Sequence, residues 1–123
     1  MKAAHEYKPP TAKQQEGQSG EDQALAHLQQ QGLMLIMRNF RCKTGEIDLI
    51  MRDQQTLVFV EVRKRAPGSL VSAVDSITPA KQRRVWLTAQ FYLQRFATPP
   101  ACRIDVVAID GREVIWLKNA ISG

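Results

Sequence analysis

The sequence predicts an α/β domain with the element order α-β-β-β-α-β-β. Three observations predict it. Two segments, near residues 19–31 and 78–96, carry apolar residues at helical spacing between capping signals. Five runs rich in Val, Ile, Leu and Phe have strand length. The runs flank polar turns at Asp53-Gln54-Gln55 and Asp110-Gly111, the spacing of hairpins. With 123 residues, 44% hydrophobic and 24% charged, the chain has the size and composition of one globular domain.

Residues 1–16 are polar, contain Pro9-Pro10 and three lysines, and read as a disordered basic tail, leaving 17–123 as the folded unit. The first helix is expected over Ser19–Gln31. Ser19 serves as N-cap, Asp22 sits three residues on as the capping-box acid, and Gly32 follows as C′. Ala24, Leu25 and Leu28 form its inward stripe, and Glu21 falls on the same side. From geometry alone Glu21 also fits a first-turn acid favoured by the helix dipole. His27 is expected to face solvent.

Leu33–Arg41 follows as a strand. Gly45–Arg52 comes next, with Glu46, Asp48 and Ile50 on one face and Ile47, Leu49 and Met51 on the other. Thr56–Arg65 places Phe59, Glu61, Arg63 and Arg65 on one face and Val58, Val60, Val62 and Lys64 on the other. Antiparallel pairing about the intervening turn brings Asp48 close to Glu61. A loop containing Pro67 and Gly68 spans residues 66–77. The second helix starts at the N-cap Thr78 with Pro79 at N1 and runs to about Phe96. Its first turn carries Lys81, Arg83 and Arg84, where the macrodipole disfavours cations. Cys102–Ile109 and Arg112–Leu117 complete the set, joined by a type I′ turn at Asp110-Gly111. Asp105, the lone acid inside its strand, is expected to pair with Arg103 or a neighbouring strand.

Composition narrows the chemistry. A formal net charge of +5 suits a polyanionic partner, and by itself fits nucleic acid, an anionic membrane surface or plain solubility. No apolar run is long enough to span a bilayer, and the amino-terminal segment lacks the apolar core of a secretory signal, so a cytoplasmic protein is expected. Cys42 and Cys102 lack metal-type spacing and read as two reduced thiols. His5 and His27 have no partner at ligand spacing. No serine or cysteine sits beside a histidine in a triad motif, and no Gly-rich phosphate loop precedes a helix.

What remains is a set of acids flanked by bases: Glu21, Asp48, Glu61 and Arg63. A carboxylate inside an apolar strand is costly unless a cation compensates it. Asp48 and Glu61 suit Mg²⁺ or Mn²⁺, with the backbone carbonyl of Val62 as a further oxygen ligand. Glu61 and Arg63, two apart on a strand, share one side. The same residues also fit a plain Glu61–Arg63 ion pair with Asp48 as cross-strand partner. Glu46 reads as a surface acid at the strand start. Lys64, Arg65, Lys81, Arg83 and Arg84 are the candidate nucleic-acid contacts.

The ordered runs GEIDLI, VFVEVRKR, TPAKQRR and RIDVVAI resemble the YraN family of small bacterial proteins. That family in turn resembles restriction-endonuclease-like, PD-(D/E)xK nucleases, especially archaeal Holliday-junction resolvases. The resemblance covers about Gly17 to Ile109. It implies a restriction-endonuclease-like core, a mixed β-sheet flanked by helices. It implies that Asp48 and Glu61 bind metal, that Glu21 is the acid on the first helix, and that Arg63 stands where the nucleases have lysine. Arginine stays charged and cannot serve as a base; Lys81 is the expected source of a replacement ammonium. The implied activity is a metal-dependent endonuclease acting on DNA, branched or structured. The alternatives are a nucleic-acid-binding protein that keeps the fold without cleavage and a protein-interaction module using the sheet edge. A homodimer would let two sites address two strands of a junction.

Overall fold

The computed structural model describes residues 12–64, 72 and 74–123, and in its first helix the side chains from Ser19 onward. Its elements are α1 (Ala12–Gln30), β1 (Met34–Cys42), β2 (Gly45–Asp53), β3 (Thr56–Lys64), α2 (Pro79–Leu93), β4 (Cys102–Asp110) and β5 (Glu113–Leu117). The order is the expected α-β-β-β-α-β-β. Residues 1–11 of the expected tail, Arg65 and most of the 66–77 loop lie outside the described residues.

The strands form one sheet in sequential order, β1-β2-β3-β4-β5. Three neighbouring pairs are antiparallel; β3 and β4 are parallel, with α2 as the crossover between them. The sheet is therefore mixed, and one helix packs on each face. Under α2, Val85, Ala89, Tyr92 and Leu93 meet Phe40, Ile47, Ile50, Phe59, Val106 and Ala108. Under α1, Ala24 and Leu28 meet Leu49, Met51, Val58, Val60, Val107 and Ile109. Burial on both faces explains why β3 and β4 are near-continuous apolar runs rather than alternating ones.

Each helix ends for a local reason. Gly32 closes α1 at φ +96°. Its N–H donates to the Gln29 carbonyl at 3.0 Å, and the Leu33 N–H donates to the Leu28 carbonyl at 3.1 Å, the paired bonds of a Schellman motif. Thr78 caps α2 by accepting the Lys81 N–H at 3.2 Å, with Pro79 at the first helical position, as expected. The far end of α2 corrects the expectation of Phe96. The helix stops at Leu93, and bonds from Gln94, Arg95 and Phe96 to carbonyls three residues back tighten the closing turn.

Three further readings are corrected. Helix α1 begins at Ala12, so Ser19 lies inside it and is not its cap. The segment Ala-Lys-Gln-Gln-Glu is rich in helix formers and carries the helix past Gly17 and Gly20. The β4–β5 turn is formed by Gly111 and Arg112, since Asp110 pairs with Glu113. Gly111 has φ +60° while Arg112 is not left-handed, the pattern of a type II′ turn with glycine first. On β2, Ile47 does not share a face with Leu49 and Met51: it joins Ile50 under α2. The alternation breaks at Asp48, between the pairs Arg38↔Leu49 and Phe40↔Ile47, where Asn39 of β1 takes φ 55°. The β1 bulge between Leu35 and Met37 is a separate irregularity opposite Met51 and Ile50.

Candidate active-site cleft

The irregularity in β1 and β2 is where the acids gather. The β2–β3 ladder runs from Asp53↔Thr56 to Leu49↔Val60 and stops. One further step would set Asp48 opposite Glu61. Instead, the Val62 N–H donates to Asp48 Oδ2 at 2.8 Å, so a carboxylate takes the place of a ladder carbonyl. Because N–H and C=O of one residue share an edge of a strand, the Val62 carbonyl faces the same side.

Glu61 lies on the α2 side of β3 with its side chain only 5% exposed. The Lys81 Nζ stands 3.3 Å from its Oε1. This contact accounts for a cation in the first turn of α2: the buried acid offsets what the helix dipole opposes. Beside them lies a cleft of about 220 Å³ lined by Gly45, Glu46, Asp48, Lys81, Arg84 and Val85. A Cβ at Gly45 would lie 3.4 Å from Thr88 Oγ1, so the strand start rests against α2. Hydrogen bonds from Cys42 to Thr44 (3.1 Å) and Thr44 to Thr88 (2.8 Å) hold this β1–β2 turn on the helix. Cys42 and Cys102 are both free thiols.

Both acids remain raised in spite of their partners. Burial pushes the Asp48 carboxyl up to about 8, reinforced by Glu61 and partly opposed by the Val62 N–H. Burial also raises Glu61, against the pull of Lys81 and Arg63. Two carboxyls at one end of a broken ladder, Glu61 buried and Asp48 half-buried, with a backbone carbonyl on the same side, fit a hard divalent cation in donor type. Among the described residues no group of three or more His, Cys, Asp or Glu forms a ready-made metal cage, so waters or substrate oxygens would complete the shell.

The other expected residues divide. Glu21 turns toward β1, where Arg38 NH2 reaches its Oε2 at 3.3 Å and Asp22 at 2.8 Å. Its field raises Asp48, yet it does not line the cleft. The Asn39 side chain has one amide atom 3.1 Å from both Glu21 Oε1 and Glu46 Oε1; only the nitrogen can donate there, so it bridges the two acids. Arg63 NH2 donates to the Ser76 carbonyl at 3.1 Å, away from the cleft lining. Arg84 lines the acid cleft, whereas Arg83 lines a separate depression with Pro79, Gln82 and Trp86. Lys64 is exposed at the end of β3, and Arg65 lies outside the described residues.

Sequence reading passed over Glu46 as a surface acid, although it lines the cleft and reinforces the raised carboxyls of Asp48 and Glu61. Its i, i+2 relation to Asp48 on one strand was the available signal. His27 is half-buried, edge-on to Trp116 at 6.4 Å between ring centroids, rather than solvent-facing. Asp105 is fully buried and receives Arg103 Nε at 3.1 Å, as expected, together with Trp116 Nε1 at 2.9 Å and the Asn119 N–H at 2.8 Å.

The chain is similar in sequence to known proteins. The model for "Uncharacterised protein family UPF0102" matches residues 20–109. A UPF0102 protein of Herminiimonas arsenicoxydans is 61% identical over 114 residues, covering 93% of this chain and 92% of the relative. One from Janthinobacterium sp. (strain Marseille) is 60% identical, covering 93% of each. A UPF0102 protein of Cupriavidus taiwanensis is 54% identical over 110 residues, covering 89% and 84% respectively.

Proposed function

The chain belongs to the uncharacterised protein family UPF0102, and from that footing we propose that it is a divalent-metal-dependent endonuclease acting on DNA, branched or structured. The observation that carries the reading is the pair Asp48 and Glu61. Glu61 is buried and Asp48 half-buried at the broken end of the β2–β3 ladder, with Lys81 3.3 Å from Glu61, and Arg84 lines the cleft together with Asp48 and Lys81.

Asp48, Glu61 and the Val62 carbonyl would hold Mg²⁺ or Mn²⁺. The metal, when bound, supplies a coordinated water of lowered pKa and neutralises charge on the scissile phosphate. The side chains do the rest. Lys81 carries an ammonium on a flexible stem beside Glu61 and can turn it toward a water or a phosphate oxygen. Arg84 offers a guanidinium to the phosphate on the cleft wall. Arg63, always charged and tied to the Ser76 carbonyl, acts on Glu61 through its field and is not the base. Glu21 and Glu46, bridged by Asn39, add negative potential that favours a cation at Asp48. A two-fold partner, presenting a second cleft to a second strand, belongs to the same proposal, as does a cytoplasmic location. No helix among the described residues is long and apolar enough to cross a membrane.

A second reading, binding of nucleic acid without cleavage, is favoured by one observation: the strand position next to Glu61 on its face holds Arg63, which cannot exchange a proton. Cleavage of labelled linear, flapped and four-way-junction DNA in Mg²⁺ and Mn²⁺ decides between the readings. The endonuclease cuts in metal, and Asp48→Ala and Lys81→Gln both lose cutting. Wild-type protein that binds these substrates and cuts none of them would leave the binding reading in its place.

A further inference from the structure

Helix α2 carries more than the cleft needs. Between Asp75 and Asp105 the chain has no acidic residue, while it holds Lys81, Arg83, Arg84, Arg95 and Arg103. On the helix, Arg84, Leu87 and Phe91 follow at spacings of three and four, and Arg95 follows four later in the closing turn, so the four share one side. Arg84 lines the acid cleft, and Phe91 lies about 10 Å further along the axis, from a rise of about 1.5 Å per residue.

Phe91 is 50% exposed, a costly placement for a phenyl ring in a helix that otherwise buries its apolar face. The ring is not loose. It stacks on Phe40 at 6.4 Å with an interplanar angle of 29°, which fixes its orientation. Arg95 is anchored beside it, its guanidinium 3.8 Å from the Tyr92 centroid and 5.6 Å from Phe40. An aromatic face held in place between two exposed arginines, on a helix without acids, combines the two recurring parts of a single-strand track: cations for phosphate and a platform for a base.

We propose that the Arg84–Leu87–Phe91–Arg95 stripe binds an unpaired DNA strand, with a base stacked on Phe91 and phosphates on Arg84 and Arg95. The stripe leads the strand into the acid cleft. In a duplex each base face is already covered by its neighbours, so Phe91 selects unpaired nucleotides. The substrate class is then DNA with a single-stranded segment adjoining the cut site, such as a flap or an opened junction arm. The inference rests on DNA being the substrate, as proposed above, but not on cleavage.

The test is fluorescence anisotropy in EDTA with labelled oligothymidine and a labelled duplex of equal length, using the full chain. Wild type is expected to bind the single strand. Phe91→Ala should weaken that binding about 10- to 100-fold, the range for losing one stacked base, with duplex affinity unchanged. Phe91→Leu keeps an apolar group against Phe40 without a ring, so it guards against a folding artefact and should weaken binding alike, while Phe91→Trp should restore it. The proposal is overturned if wild type ignores oligothymidine, if Phe91→Leu binds it as wild type does, or if single-strand and duplex affinities fall together. It is also overturned if the variants shift the sedimentation coefficient of the protein without changing strand affinity, since Phe91 would then be a self-association contact. Metal-dependent cleavage is scored separately, so inert protein that still discriminates through Phe91 rejects the endonuclease and keeps the track.

Discussion

Asp48 holds the clearest energetic anomaly at the residue scale. Its carboxyl is raised to about 8 from an ordinary 3.8, first by burial and then by Glu61. A folded-state pKa above the unfolded one means that the folded protein binds the extra proton. The contribution is fully stabilising below about pH 4 and is lost as the pH rises through 8. Asp48→Asn keeps an acceptor for the Val62 N–H and removes the charge. In EDTA its melting temperature should therefore exceed that of wild type, by an amount that grows between pH 4 and pH 8. A difference independent of pH would show that Asp48 is not held against its charge. Asp48 and Glu61 were legible in sequence because a carboxylate inside an apolar strand needs a cation, and the turn sets their register. The actual partner of Arg63 was not legible, since Ser76 reaches it from a loop that follows no periodicity.

Among the elements, α1 is instructive. Gly20 is buried mid-helix, and a Cβ there would meet only Ile109 Cδ1 at 3.8 Å, an ordinary contact. Gly20→Ala is expected to raise stability by about 0.5–1 kcal/mol, read by urea denaturation, because alanine is the better helix residue and nothing must move. Ser19 with Asp22 mimicked a capping box, yet the helix runs through it from Ala12 to Gln30. Strand β4 presents the opposite case. Asp105 ties it to β5 through Trp116 and to the following segment through Asn119, while Arg103 extends the network to Asp53 at the β2–β3 turn. Asp105→Ala should cost about 3–5 kcal/mol, since it leaves the Trp116 and Asn119 donors unpaired and the Arg103 guanidinium with Asp53 alone. Unfolding within about 1 kcal/mol of wild type would mean that the network is dispensable. The Arg103 partner was visible as an i, i+2 pair; the Trp116 and Asn119 donors depend on the β4–β5 register, and a turn at Asp110-Gly111 would set each β5 partner two residues off, Val107 opposite Val114 instead of Trp116.

At the scale of the whole molecule, the sheet turns a linear motif order into a place. Consecutive antiparallel strands bring Asp48 to Glu61, and the parallel β3–α2–β4 crossover lays Lys81 and Arg84 over both. The element order and the basic balance were readable because periodicity, caps and charge are local or additive properties. The break at Asn39 and Asp48, which opens the cleft and brings Glu46 to it, was not, because it goes with a left-handed backbone at Asn39 that no periodicity announces. The proposed chemistry requires this break to hold a cation. Isothermal titration of Mn²⁺ into wild type, Asp48→Asn and Glu61→Gln tests it most directly. The prediction is saturable binding by wild type that weakens at least about tenfold in either variant, the loss of about 1.4 kcal/mol or more for a removed charged ligand. Equal Mn²⁺ affinity in all three proteins would contradict it.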